Sequence, residues 1–407
     1  MLTALETGVK GGKWFSLIDK VASVRVLRAS FERVKRNRGA AGVDQVTIER
    51  FEGRLEEELE RVSESLLTES YRPQAIRRVW IEKPGGREKR PLGIPTVRDR
   101  VVQGALRLLL EPIFEAEFAD TSFGFRPERS GHEALQRVVE HLDSGFTWVV
   151  DADLRRFFDT MDHGVLMTGL QEKVSDGRVL SLIKAFLGQD VIEGLESWTP
   201  EEGCPQGAVL SPLLSNIFLD PLDRRMAHKG FAMVRYADDF VVLCRSQADA
   251  ERALREVKGW VEEVGLTLHP EKTRIVDATC KGGFDFLGYH FERGHSWPSK
   301  KSRQRFKAAI RRQTKRTNGL SLEMILSLVS RRSRGWYQYF RYSPAGTLRD
   351  LDGWIRMRLR SILRKRHHGR GRGRGSDHQR WPNAFFAERG LFSFMTAHEA
   401  AGRPSWR

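Results

Sequence analysis

The chain has 407 residues, with 69 Lys and Arg against 53 Asp and Glu and a formal net charge of +16; the length leaves room for two or three domains, and the charge calls for a polyanionic partner. Three scattered cysteines, Cys204, Cys244 and Cys280, with no CxxC pair exclude a disulfide framework and a structural zinc site. The opening MLTALETGVKGGKW lacks the apolar run of a signal peptide, and the longest uncharged stretch, Gly203 to Leu219, is too polar to span a bilayer, so a cytoplasmic protein without a membrane partner is expected.

Leu, Val and Phe recur at helical spacing over residues 17 to 37, until the turn-rich RGAAGVDQ breaks the pattern. A second helix is predicted over Ile48 to Leu67. IRRVWIEKPGGREKRPLGIP, within residues 76 to 97, reads as two strands joined by a Pro-Gly-Gly turn with a basic rim. Ser130 and Glu133 have the spacing of a capping box, so a helix begins there and runs to near Gly145. TWVVDADL is then a strand, GCPQGAVLSPLLSNIFLDPLDRRM a loop entering a helix, RYADDFVVLC two short strands around an acidic turn, and ADAERALREVKGWVEEVG an amphipathic helix. Strands that pair antiparallel under a cover of helices make an α+β fold.

Beyond residue 300 the pattern turns helical. KSRQRFKAAIRRQTKR and SLEMILSLVSRRSRGWYQYF are two helices; a third is predicted to start at Thr347, capped with Asp350, with Leu351, Ile355, Leu359 and Ile362 as its apolar stripe. HHGRGRGRGSDHQ is a basic low-complexity loop. Residues 300 to 407 hold 27 Lys and Arg against 6 Asp and Glu, a net +21, which leaves 42 against 47, or −5, for the rest. The surface for a polyanion is therefore mostly C-terminal.

Chemistry concentrates where acids interrupt strands. Asp151 and Asp153, two apart, share one face of their strand, and Asp238 and Asp239 form the turn of a second acidic hairpin. If the two strands are neighbours, acids from both converge; strand geometry alone does not choose between Asp151 and Asp153. Carboxylates gathered without His or Cys suit a hard cation, Mg²⁺ rather than zinc, and two such ions can activate a hydroxyl and stabilise a leaving pyrophosphate. The bland reading of a lone Asp-Asp is turn chemistry. Asp159 and Asp162 are read that way, as local caps for a helix beginning near His163.

RYADDF resembles the YxDD box of reverse transcriptases, DADLRRFFD their first acidic motif, and GCPQGAVLSPLLSNIFLDPLD their nucleotide-pocket loop and helix. GVDQVTIERFE, KPGGREKRPLGIPTVRDRVVQ, FGFRPERSGHEAL, LHPEKTR, FDFLGYHF, RGWYQYFRYSP and RWPNAFFAERGLFSF are similar to stretches of the group II intron-encoded reverse transcriptases in particular. The resemblance covers nearly the whole chain. It implies a right-hand polymerase, with an N-terminal extension and the start of the fingers over residues 1–75, fingers and palm over 76–295, a helical thumb or maturase domain over 296–366, and a basic loop and tail over 367–407.

Carried over residue by residue, the resemblance implies that Asp153 and Asp238 bind two Mg²⁺ ions, for which Mn²⁺ can substitute, with Asp239 completing the set. It also chooses Asp153 over Asp151. Phe158 matches the ring that excludes a ribose 2′-hydroxyl, which disfavours an RNA-directed RNA polymerase. Gln206 lines the nucleotide pocket, and Lys83 and Arg90 contact the triphosphate, with Arg87 or Lys89 as substitutes for Arg90. Lys272 protonates the leaving pyrophosphate. Arg126 and Arg129 contact the template, FDFLGYHF grips the primer end with its glycine admitting the nucleic-acid backbone, and Trp336, Tyr337, Tyr339 and Trp354 intersperse a basic RNA-tracking surface.

The function expected is an RNA-directed DNA polymerase that copies RNA with dNTPs on a template–primer duplex and binds group II intron RNA to assist splicing and mobility. A host role or a splicing-only maturase are the alternatives. Neither a DNA-binding segment nor a Cys/His-rich nuclease is evident, so a DNA target would need its cut or primer from elsewhere.

Overall fold

The computed structural model of the protein describes residues 12–82 and 89–406. They form two compact units: the described residues through Ala134 with Trp148–Ile275, and Leu135–Thr147 with the described residues from Val276 onward.

In the first unit helices form where an apolar stripe can be buried. Val24–Asn37 turns Leu27, Phe31 and Val34 inward, and Leu55–Leu67 turns Leu59, Val62 and Leu66. Both pack on Val97–Glu115, a helix the sequence reading did not single out. TVRDRVVQGALRLLLEP is buried on most faces and even takes Arg100 and Gln103 inside, so the one-sided stripe that announces a surface helix is missing. Its start is fixed by Thr96, whose Oγ1 accepts from the Asp99 backbone N–H at 3.1 Å and donates to Asp99 Oδ2 at 2.8 Å. The capping box at Ser130 and Glu133 is present, with the Ser130 N–H donating to Glu133 Oε2 at 2.6 Å and the Glu133 N–H to Ser130 Oγ at 3.3 Å. Asp162 caps His163–Gln171 as expected. Asp159 does not: it closes a single 3₁₀ turn and pairs with Arg156 at 3.3 Å.

Two sheets occupy this unit. β1 (Ile76–Glu82) and β2 (Lys89–Ile94) pair antiparallel, and the Pro-Gly-Gly turn expected between them lies outside the described residues. Among the other strands, β3 (Trp148–Asp153) belongs to the second sheet, whereas the hairpin β4 (Val191–Glu193) and β5 (Glu196–Trp198) joins the first through a parallel pairing of β4 with β1, in the order β2-β1-β4-β5. Three-residue strands are too short to show alternation, which is why the sequence hid them. β6 (Ala232–Tyr236) and β7 (Asp239–Cys244) form the acidic hairpin. With β8 (Arg274–Asp277), whose first two residues belong to this unit, the second sheet runs β6-β7-β3-β8. Helices Ser211–His228 and Gln247–Glu263 pack against it, and Val149, Val150, Val241, Val242 and Leu243 are fully buried.

The second unit holds a small antiparallel sheet, β9 (Phe284–Phe286), β10 (Tyr289–Glu292) and β11 (His295–Pro298), and the helices Lys300–Gln313, Leu322–Phe340 and Ala345–Arg366. Ile310, Ile325, Val329, Leu348, Ile355 and Leu359 make a core shared by the three. The third helix starts two residues before Thr347, on Pro344, and no side chain caps it. Proline's fixed φ, here −55°, brings the chain into the helix and leaves the Thr347–Asp350 cap unused. Three short helices follow, Ser376–Arg380, Asn383–Glu388 and Phe394–Ala400. Among the described residues no helix is long and apolar enough to cross a membrane.

Asp176 ties the start of the chain to the first unit. Its carboxylate caps Gly177–Leu187 and also accepts the Leu17 and Ile18 N–H groups at 2.7 and 2.9 Å. Burial works to raise its pKa, but the backbone N–H groups of Leu17, Ile18, Val179 and Arg178 outweigh that and hold it below the usual carboxylate value. A folded pKa below the unfolded one gives stability that is present above the unfolded value, about 3.9, and lost as pH falls through the folded one. Asp176→Ala should therefore lower the unfolding free energy by about 1–3 kcal/mol at pH 6 in urea, with the gap narrowing below about pH 4; equal stabilities at pH 6 would show the cap to be idle.

Candidate active site

β3 and β7 lie side by side, Ala152 opposite Phe240 and Asp153 opposite Asp239. Asp238 occupies the turn just before β7, preceded by Ala237 at φ +60°. Burial, and with it repulsion from Asp153, holds the Asp238 carboxyl above the ordinary range against the opposing pull of its own backbone and of Arg235. The pairing of β3 with β7 thus brings Asp153 to the start of the strand that Asp238 precedes.

Cations meet this acidity from β8 and the loop before it. Lys272 Nζ lies 2.6 Å from Asp153 Oδ2, and Arg274 Nε lies 3.3 Å from Asp151 Oδ2. The two acids on one strand face therefore have different partners. The loop that carries Lys272 runs along the chain leaving β3, with the Arg155 N–H donating to Thr267 O at 2.8 Å and the His269 N–H to Asp153 O at 2.7 Å. Among the described residues no three acidic, His or Cys side chains stand ready as a metal cage. What the site offers is two half-buried carboxylates, Asp153 and Asp238, with exposed Asp239 next in the chain. Hard oxygen donors whose mutual repulsion a divalent cation would relieve fit such an ion.

A cavity of about 400 Å³ is lined by Phe158 and Gln206 together, and by Arg78, Gly93, Arg156 and Pro205 among others. Backbone staples close its walls. The Gly93 N–H donates to Gln206 O at 2.7 Å and the Cys204 N–H to Phe158 O at 2.7 Å. Gly207 has φ +104°, and a Cβ there would meet Gly93 O at 2.8 Å, so only glycine allows the loop to lie against β2. The Phe158 ring meets Phe157 edge-on at 5.2 Å. The Cys204 thiol, pushed up to about 12 by burial, is wall rather than nucleophile. Arg90 is exposed on β2, opposite Ile81, two residues before Leu92. Lys83 and Arg87 lie outside the described residues.

The two arginines expected at a template bond within the fold. Arg126 is buried; its guanidinium donates to Glu115 Oε1 (2.9 Å from Nε) and to the carbonyls of Ala119 and Ser122 (2.6 and 2.9 Å from Nη1). Arg129 donates to the Asp120 carbonyl and carboxylate at 2.9 and 2.6 Å. In the second unit, the FDFLGYHF hairpin buries Phe284, Phe286, Tyr289 and Phe291. Its Gly288 is needed for the protein's own packing, since a Cβ there would meet Ser302 Oγ at 3.0 Å and Phe340 at 3.5 Å. Trp336 stacks on Phe340 at 4.5 Å and Tyr337 is buried, whereas Trp354 lies under Lys307, Arg311 and Arg358 at 5.4, 5.6 and 5.7 Å.

Sequence reasoning overlooked Arg235, Asp223 and Asn216, a fully buried group beneath the acidic turn. A signal was present: an arginine inside an apolar strand needs a buried acceptor, and Asn216 and Asp223, seven apart, fall on one face of their helix.

Acids gathered at the facing ends of two paired antiparallel strands are an arrangement suited to metal-assisted nucleotidyl transfer. Residues 81–291 match the family model of the reverse transcriptase (RNA-dependent DNA polymerase) and residues 303–381 that of the group II intron maturase-specific domain. The chain belongs to the reverse transcriptases, in the branch that carries a group II intron maturase domain. Protein YkfC of Escherichia coli (strain K12) is 36% identical to it over 295 residues, covering 63% of this chain and 76% of YkfC. Group II intron-encoded protein LtrA of Lactococcus lactis subsp. cremoris is 37% identical over 195 residues, 48% of this chain and 32% of LtrA. Nuclear intron maturase 1, mitochondrial, of Arabidopsis thaliana is 39% identical over 249 residues, 48% of this chain and 34% of that protein. The chain thus spans about a third of the length of the latter two.

Gly207→Ala adds a methyl group at positive φ against the β2 backbone. The unfolding free energy should fall by about 1–3 kcal/mol in urea titration; an unchanged midpoint would mean that the staple is not tight.

Proposed function

We propose that the chain copies RNA into DNA, joining dNTPs to a primer 3′ end on an RNA template, with Asp153 and Asp238 as the residues that hold Mg²⁺ and Asp239 completing the acidic set. The observation that supports this reading is the antiparallel pairing of β3 with β7, which sets Asp153 opposite Asp239, the residue next to Asp238. Bound divalent ions would supply Lewis-acid polarisation of the attacking hydroxyl and charge neutralisation at the departing pyrophosphate, with Mn²⁺ able to replace Mg²⁺. Phe158 offers a ribose 2′-hydroxyl neither room nor a hydrogen bond, so the cavity selects deoxyribose. Gln206 lines the same cavity, and Lys83 and Arg90 would approach the triphosphate from the β1–β2 hairpin. Lys272, an ammonium already within hydrogen-bond reach of the acid pair, can give a proton from Nζ to the pyrophosphate. Arg126 and Arg129 serve the template by shaping the 118–130 loop rather than by direct contact.

The division of labour proposed is an N-terminal extension over residues 1–75, fingers and palm over 76–295, a thumb over 296–366 and a basic tail over 367–407. The last two carry the +21 surplus and would follow the phosphates of a template–primer duplex and of group II intron RNA, assisting splicing, with a DNA target for the mobile intron. The setting proposed is the cytoplasm.

Primer extension on an RNA template with dNTPs and Mg²⁺ tests the reading. Asp238→Asn should lower kcat by at least about 10³-fold, the scale of losing an essential charge at the reacting centre; extension within tenfold of the wild type, or a wild-type preference for rNTPs, would overturn it. Phe158→Ala should admit rNTPs about 10–100-fold better relative to dNTPs.

A further inference from the structure

The acidic turn rests on a buried charge that the chemistry above does not use. Arg235, at the end of β6, has no exposed side-chain surface. Its Nε donates to Asp223 Oδ1 at 2.8 Å, its Nη2 also bonds Asp223, and its Nη1 is shared between Asn216 Oδ1 at 2.9 Å and the Ala237 carbonyl at 3.0 Å. Asn216 in turn donates from Nδ2 to the Gly124 carbonyl at 2.9 Å. Gly124 lies directly under the turn: a Cβ there would meet the Ala237 nitrogen at 2.2 Å and the Tyr236 carbonyl carbon at 2.8 Å. Backbone bonds lock the same strip, with Arg235 N–H to Thr121 O and Phe123 N–H to Arg235 O, both at 2.9 Å.

Stability alone does not account for this arrangement. A buried ion pair gains little or nothing over well-packed apolar side chains of similar volume, because both charges must be desolvated. What apolar side chains cannot do is donate a hydrogen bond to Ala237. That residue is held at φ +60°, a conformation an alanine does not favour, and it immediately precedes Asp238.

We propose that Arg235 is a positioning residue for the acidic site: anchored by Asp223 and Asn216, it fixes the Ala237 carbonyl, keeps the turn left-handed and so aims Asp238 toward Asp153. The inference rests on the reading of Asp153 and Asp238 as the metal-holding acids and adds the group that sets their spacing. Asn216 and Gly124 are its outer supports, one bonding the Gly124 loop and the other admitting the turn at a distance no side chain allows.

The test uses the full chain and four variants: Asn216→Ala, Arg235→Lys, Gly124→Ala, and the double variant Arg235→Met with Asp223→Leu. Three quantities are read: Mn²⁺ affinity from electron paramagnetic resonance without nucleic acid, kcat and KM for dNTP in primer extension, and unfolding in urea. The expected result is Mn²⁺ binding weakened about 10-fold or more and kcat lowered about 100-fold, with KM for dNTP within about twofold because the cavity walls are untouched. The double variant separates position from stability. It should unfold no more easily than the wild type, yet keep the weak Mn²⁺ binding and low kcat. Recovery of both in the double variant would make the pair merely structural and overturn the proposal, as would wild-type Mn²⁺ affinity in a folded Asn216→Ala or Gly124→Ala protein. Absence of extension by the wild type would count against the polymerase reading alone, since the Mn²⁺ affinities still decide the role of Arg235.

Discussion

The pairing of β3 with β7 is the constraint from which the site follows. Register in a sheet has a period of two, so a slip of one residue would turn Asp153 away from the acidic hairpin and take the buried valines out of their packing. The apolar run prevents that slip. Val149 and Val150 face Leu243 and Val242 across the ladder, all fully buried, so the core sets the alignment that brings the acids together. Folding thereby places like charges close in a partly buried site, an arrangement unfavourable without a cation. Lys272 supplies one from the protein itself, at the carboxylate oxygen of Asp153. That lysine and its partner are both solvent-facing, which leaves the site accessible.

The cavity that Phe158 and Gln206 share is shaped by backbone more than by side chains. Gly207 and Gly203 each lie against a neighbouring carbonyl, one on β2 and one on the 3₁₀ turn of Phe158, so ring and glutamine are held to one opening by main-chain bonds that do not depend on side-chain identity. Arginines of this unit do the opposite of what surface charge would imply. Arg126, Arg129 and Arg235 use their donors to fasten loops and turns, so the surplus positive charge that can face a polyanion lies with other cations.

Those cations are concentrated in the second unit. Its helices carry Lys307, Arg311 and Arg358 around Trp354, three positive groups on one ring, and burial with the charge of neighbouring Arg311 and Arg316 lowers the pKa of Arg358. Such crowding is repulsive in isolation and is relieved by a polyanion, in keeping with the maturase-specific domain that this stretch matches. Tyr337 is buried in the core, whereas Trp336 and Trp354 are half-buried against it, Trp336 stacked on Phe340 and Trp354 under the cations.

By itself the sequence determined the element types in most of the chain, the two acidic strands, and the capping of Ser130 and Asp162. Each is written in short-range patterns: alternation, cap spacing and motif order. Only the tertiary structure decided that Asp151 pairs with Arg274 while Asp153 meets Lys272, that Arg126 and Gly288 serve internal packing, that a three-residue hairpin extends the first sheet in parallel, and that Arg235 lies beneath the acidic turn. Those outcomes depend on which distant groups compete for one donor or one space. Propensity and periodicity act over a few residues along the chain and carry no information about that competition, which is settled by burial and by the need of every buried charge to find a partner.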